Sequence, residues 1–229
     1  MTVIDVPTRD GLMPAYLARA AETAPLRPPI VLIHEGFGLS LHTRTVADRF
    51  AALGHDVIAP HMYYRRTREP ADYDDVPLAI SLTQSVTVPE ILADFEAAAA
   101  VVASGGRRVL TMGFCFGGAV AYIAAARSDR VDRAVAYYPV SIQRFWDEAG
   151  APRRSMLVFY GDLDQLISPD ERDWVRSLQD EPALDVRVQE FPDAPHGFFN
   201  DVGPDRYDSA ASDASWAAVL DFFAEEAQS

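Results

Sequence analysis

The stretch Gly113-Phe-Cys115-Phe-Gly117-Gly118 sets the chain's only cysteine two residues from a glycine on either side, the form Gly-x-nucleophile-x-Gly. A segment read as a strand, Arg107 to Met112, precedes it and an alanine-rich segment, Phe116 to Arg127, follows. The spacing therefore predicts a sharp turn from a strand into a helix. At such a corner the central residue's backbone is strained, and glycines on both sides let strand and helix pass without Cβ clashes. The chemistry on offer is nucleophilic attack on an acyl carbon, by a sulfur placed where free N–H groups and the helix dipole favour an anion. The N–H of Phe116 can receive an oxyanion. Gly36, in the loop after the apolar run Ile30-Val-Leu-Ile33, occupies the place where this architecture supplies a second donor. Taken alone, a single cysteine is more often a small buried hydrophobe; the strand–turn–helix context favours the reactive reading.

A thiol nucleophile needs a base and the base an orienting acid, in the chain order nucleophile, acid, histidine. Downstream of Cys115 the one histidine is His196, in Asp193-Ala-Pro-His-Gly-Phe198; its bland alternative is a surface-loop residue. His42 and His55 read as helix-surface and turn residues, while His34 and His61 end strands and could border a pocket. For the acid, Gly161-Asp-Leu-Asp164 offers two carboxylates. Asp164, three residues beyond the strand-terminal glycine, can project back over a sheet, whereas Asp162 reads as a turn former. Phe37, Tyr138 and Phe198 adjoin these loops and are candidates either for the pocket wall or for packing. One cysteine and dispersed histidines give no metal-ligand spacing, and no phosphate loop is present, so neither a metal nor a cofactor is implied.

These groups must be held by elements that alternate. Val3 to Val6 and Leu12 to Ala18 flank the turn signal Arg9-Asp10-Gly11, predicting a short N-terminal β-hairpin. Past the link Pro25 to Pro29 come the strand Ile30 to Ile33, a helix from Ser40 to Leu53 and a strand from Asp56 to Ala59. Between Pro60 and Thr87 the pattern is weak, with prolines at 70 and 77 and a basic knot, Arg65-Arg66-Thr67-Arg68; this reads as a long loop bordering the pocket. Helices are then expected from Pro89 to Ser104, Phe116 to Arg127, Asp170 to Gln179 and Asp208 to Glu226. Strands are expected at Arg133 to Tyr138, Ser155 to Tyr160 and Leu184 to Phe191. The order predicts a single α/β domain over residues 1–229, a mostly parallel central sheet with helices on both faces and function at the carboxyl ends of the strands.

Bulk properties narrow the partners. The 229 residues carry a net charge of −14, which repels polyphosphates and argues against nucleic acid. No apolar run approaches the roughly 20 residues that cross a bilayer, so no membrane is expected. One cysteine forms no internal disulfide, and the N-terminus lacks the basic and apolar regions of a signal peptide, which points to the cytoplasm. A small-molecule substrate and a monomer or small homo-oligomer fit this picture.

Together, His34-Glu35-Gly36-Phe37-Gly38, the elbow Gly113 to Gly118, the strand Ala134 to Tyr138, the loop with Asp164 and His196-Gly-Phe198 resemble the dienelactone hydrolase family of α/β-hydrolases over nearly the whole chain. The resemblance implies a single-domain α/β-hydrolase fold and a carboxymethylenebutenolidase-like activity on small carboxylic esters or lactones through a thioester. It carries the triad to Cys115, Asp164 and His196, the oxyanion donors to the N–H groups of Gly36 and Phe116, and a thiol-modulating role to Glu35; the bland alternative for Glu35 is a satisfied buried carboxylate. The family's namesake enzyme grips a substrate carboxylate with two arginines. Here Ala71 to Val86 contains no arginine, and Asn200 stands shortly after His196. Arg65, Arg66, Arg68 and Arg206 are the cations that could take their place, with exposed solvated surface as the alternative. An esterase or thioesterase for a less anionic substrate, and a hydrolase-fold ligand-binding protein without turnover, are the alternatives in view.

Overall fold

The computed structural model describes residues 2–25, 27–203 and 206–225. Strands β1 (Thr2–Thr8) and β2 (Gly11–Ala18) form an antiparallel hairpin with Thr8 opposite Gly11. They are followed by β3 (Ile30–Ile33), β4 (Val57–Pro60), β5 (Val109–Phe114), β6 (Val131–Tyr137), β7 (Ser155–Gly161) and β8 (Val186–Phe191). The eight strands form one sheet in the order β1-β2-β4-β3-β5-β6-β7-β8. β2 runs antiparallel to β4, and every pair from β4 through β8 is parallel. Every residue of β3, β4 and β5 is buried, which is why these strands appear in the sequence as unbroken apolar runs. The one polar side chain among them, Thr111, is satisfied by donating to Val31 O at 3.0 Å.

The helices are α1 (Leu41–Ala52), α2 (Val76–Ser85), α3 (Val88–Val102), α4 (Phe116–Arg127), α5 (Ile142–Ala149), α6 (Pro169–Ser177) and α7 (Ser209–Ala224). The chain winds from β3 outward to β4, then reverses past β3 to β5 and on to β8. Crossovers of one hand taken in opposite directions put their helices on opposite faces. Accordingly α1 shares a face with α7, Phe50 lying 4.6 Å from Trp216 between ring centroids, while α3, α4, α5 and α6 touch in series on the other. The reversal leaves a crevice between the carboxyl ends of β3 and β5, where α/β sheets bind ligands.

Two helices depart from the sequence expectation. Within the segment 60–87, taken as loop, α2 is capped by Asp75, whose side chain accepts from Leu78 N–H at 3.1 Å, with Pro77 in its first turn. Proline there costs no hydrogen bond, because the first N–H groups of a helix have no intrahelical partner. α5 lies between β6 and β7, where no element was assigned. His42 is buried on the inner side of α1 against Phe114, ring centroids 4.7 Å apart, rather than on its surface. His55 is also buried, its Nδ1 2.7 Å from Pro28 O. The predicted end of the closing helix at Glu226 lies outside the described residues. Among the described residues no single helix is long and apolar enough to cross a membrane.

Candidate active site

Cys115 sits between β5 and α4 at φ 54°, ψ −113°, a conformation that L-residues rarely adopt. Its neighbours explain the glycines. A Cβ on Gly113 would fall 2.0 Å from Gly117 O, and one on Gly117 would fall 2.5 Å from the carbonyl oxygens of Ile33 and His34. Only hydrogen fits at either place, so the corner presses against the end of β3 and brings Cys115 beside the Glu35–Gly38 turn. Cys115 N–H is tied to Tyr137 O at 2.9 Å. The N–H groups of Phe116 and Gly36 have no hydrogen-bond partner among the described residues, which leaves both available to an incoming oxygen.

The acid and the base come from the ends of β7 and β8. A Cβ on Gly161 would lie 2.1 Å from Ala194 O, and Leu163 N–H donates to the same oxygen at 3.0 Å, so the two loops are joined backbone to backbone. Asp164 Oδ1 accepts from the N–H groups of Leu166 (2.8 Å) and Ile167 (3.2 Å), which aims Oδ2 at His196 Nδ1, 2.8 Å away. Both side chains are buried, at 5 % and 7 % exposure, whereas Asp162 is exposed. Burial alone would depress the imidazole, but the Cys115 sulfur and the Asp164 carboxylate outweigh it and raise the His196 pKa to about 10. Nε2 makes no hydrogen bond of standard geometry and is buried, while Cys115 acts on the ring as charge and as hydrogen-bond partner. Tyr138, at φ 36°, packs its ring against the imidazole, with ring centroids 4.8 Å apart.

Glu35 is buried and carries its own network. Tyr73 OH donates to Oε1 at 2.5 Å, and Asn200 Nδ2 donates to Oε1 (3.0 Å), Oε2 (3.2 Å) and the Tyr73 oxygen (2.9 Å). The Asn200 amide is held in that orientation because its Oδ1 accepts from Val202 and Gly203 N–H. Burial pushes the Glu35 carboxyl above its usual range, against the pull of Tyr73 and Asn200. No hydrogen bond joins Glu35 to Cys115 among the described residues. Tyr73 was not singled out from the sequence; Asn200 was noted there only for not being arginine.

Cys115, His196, Glu35, Gly36, Phe37 and Tyr138 open on one cavity of about 280 Å³. Its remaining wall is largely apolar: Val76, Ala79 and Ile80 from α2, with Val140 and Leu166. Three candidates for the pocket lie elsewhere. Arg65 is bound to Asp94 and Asp10, each at 2.6 Å, and Arg66 to Glu90 at 3.0 Å and to Ser85 O at 2.5 Å. Acidic partners distant in sequence thus hold both guanidiniums outside the cavity. Phe198 is fully buried against Tyr137, Tyr138 and Phe191 and belongs to the core. The cation at the cavity is Arg206, which has no ion-pair partner among the described residues and runs over Gly197.

Comparison with known proteins gives one answer at sequence and fold level. The model of the dienelactone hydrolase family matches residues 13–227. A provisionally named carboxymethylenebutenolidase of Salmonella typhimurium is 29% identical, covering 97% of this chain and 86% of its own. The carboxymethylenebutenolidase of Pseudomonas putida is 28% identical, covering 96% and 95%. The crystal structure of a provisionally assigned dienelactone hydrolase from Klebsiella pneumoniae superposes with a TM-score of 0.85 at 27% identity, over 98% of both chains. The chain therefore belongs to the dienelactone hydrolase family, within the α/β-hydrolase superfamily, and is a carboxymethylenebutenolidase-like hydrolase of esters or lactones.

Proposed function

We propose that the protein hydrolyses small, uncharged carboxylic esters or lactones with Cys115 as nucleophile, through a thioester acyl-enzyme. The observation that carries this reading is His196, bonded to Asp164 through Nδ1 while Cys115 acts on the same ring at the mouth of a strained elbow. The thiol proton passes to His196, and the thiolate attacks the substrate carbonyl to form a C–S bond. The carbonyl electrons move to an oxyanion received by Gly36 and Phe116 N–H. As the C–O bond breaks, the imidazolium gives its proton to the leaving alkoxide. His196 then takes a proton from water, hydroxide attacks the thioester, the C–S bond breaks and the acid departs. Asp164 fixes the tautomer and steadies the imidazolium throughout.

The substrate class follows from the wall. The cavity is largely apolar, contains the Glu35 carboxyl and, among the described residues, is lined by one arginine, Arg206, instead of a pair. The Glu35 bonds go to Tyr73 and Asn200, so His196 is the group that takes the thiol proton. A neutral acyl group is therefore preferred over a carboxylate.

The test is p-nitrophenol release from p-nitrophenyl acetate, followed from the first turnover, in wild type and Cys115→Ala, beside the anionic p-nitrophenyl hemisuccinate. Wild type should prefer the neutral ester by about tenfold or more in kcat/KM, the variant should lose about a thousandfold or more in rate, and a burst in the wild type would show that deacylation limits turnover. A variant as fast as wild type removes the nucleophile assignment. Saturable ligand binding without turnover would favour the binding-protein alternative.

A further inference from the structure

We infer that His34 is a positioning residue of the oxyanion hole: its ring locks the Glu35–Gly36 peptide in the orientation that presents the Gly36 N–H to the reacting carbonyl. The inference rests on the function proposed above. His34 is fully buried behind the cavity, and the mechanism as written makes no use of it. Its Nδ1 lies 2.7 Å from Glu35 O, and its Nε2 lies 3.1 Å from Met62 N. A backbone N–H only donates, so Nε2 is the acceptor there, and in the neutral ring the proton sits on Nδ1 and is donated to Glu35 O. Burial keeps the ring neutral, pushing its pKa down to about 3.

The carbonyl of Glu35 and the N–H of Gly36 belong to one planar unit. In a trans peptide they point in opposite directions, and the described residues contain no cis bond. Holding the carbonyl toward His34 therefore aims the N–H away from it. A flip of this peptide would replace a donor by an acceptor at the place where negative charge develops. Gly38 N–H also reaches Glu35 O, at 3.1 Å, but it belongs to the same turn and can move with it. His34 is anchored independently, through Met62 beyond β4 and through a stacked contact with Phe116 at 6.1 Å and 29°. Phe116 supplies the other proposed donor, so one ring touches both halves of the hole.

Two polar substitutions separate this role from simple core filling. In His34→Asn the side-chain amide occupies the place of Nδ1 and can still donate to Glu35 O. In His34→Gln it reaches the place of Nε2 and can accept from Met62 N–H, leaving Glu35 O without its side-chain donor. The readouts are the acylation rate constant and KM for p-nitrophenyl acetate, the affinity of a trifluoromethyl ketone that forms a tetrahedral thiol adduct, and the thermal midpoint. His34→Gln should lower acylation by about tenfold to a thousandfold, the upper bound being the loss of an oxyanion donor. Its KM should stay within about twofold, ketone affinity should fall in step with the rate, and His34→Asn should recover at least about tenfold of the loss. Equal rates in the two variants, or rates that follow only the thermal midpoints, overturn the inference. Should His34→Gln not fold, a folded His34→Asn that has lost about tenfold or more overturns it as well. A wild type without Cys115-dependent p-nitrophenol release removes the underlying function, and this inference with it.

Discussion

The Cys115 sulfur and the Asp164 carboxylate both favour the charged form of His196 in a site almost closed to water, so its proton is held far more tightly than that of a free imidazole. A pKa raised from 6.5 to about 10 has a definite sign in the stability of the fold. The stabilisation is complete below about pH 6.5 and disappears as pH rises through 10. In the proposed reaction the same proton is the one delivered to the leaving alkoxide, so kcat/KM should show an alkaline limb near pH 10. Asp164→Asn removes one of the groups that raise the pKa and offers His196 an amide that favours the wrong tautomer. Its limb should move to lower pH, with kcat falling by about a hundredfold or more. A pH–rate profile of the two proteins checks this, and an unmoved limb would detach Asp164 from the reaction. The residues gathered here were legible in the sequence because the corner around Cys115 tolerates so little: glycines two before and two after, then a single histidine left downstream. The partners of Glu35 were not, since nothing near Tyr73 marks it and the hydrogen bond crosses from residue 35 to residue 73.

At the level of elements, unbroken apolar runs exposed β3, β4 and β5, and the alternation of strands with helices exposed the sheet. The segment 60–87 hid α2 because Pro77 was weighed as an interruption, although a proline in a first turn, two residues after an aspartate cap, announces a start. The charges of Arg65 and Arg66 misled for a related reason: their partners Asp10, Glu90 and Asp94 adjoin them only after folding. α2 matters because it walls the cavity and, through Ala79 and Thr83, covers Gly36. Asp75→Ala removes its cap, a loss of about 1 kcal/mol concentrated in that helix. Amide exchange across 76–85 should speed up by about fivefold, and KM for esters should rise while the burst amplitude stays whole. Exchange at the wild-type rate would show that tertiary contacts alone hold α2.

At the scale of the molecule, 34 acidic side chains face 20 basic ones, every one of the latter an arginine. Surplus negative charge repels itself across the surface, and salt screens that repulsion as well as the individual exposed pairs. With a surplus of 14 the repulsion should dominate, so the urea midpoint should rise with added NaCl. Turnover of an anionic ester should rise with it, and that of a neutral ester should not. A midpoint that falls would mean that ion pairs such as Arg65–Asp94 outweigh the net charge. The winding of the sheet also sets an order of assembly. The β1–β2 hairpin cannot join the sheet until β4 has been made, β3 waits for strands on both sides, and the proposed machinery is drawn from Gly36 to His196, across most of the chain. During synthesis the thiol leaves the ribosome well before the imidazole proposed to activate it. A stalled or truncated chain thus carries a bare, unassisted cysteine, with no second thiol to mispair with, and the proposed pair exists only once both halves of the sheet are in place.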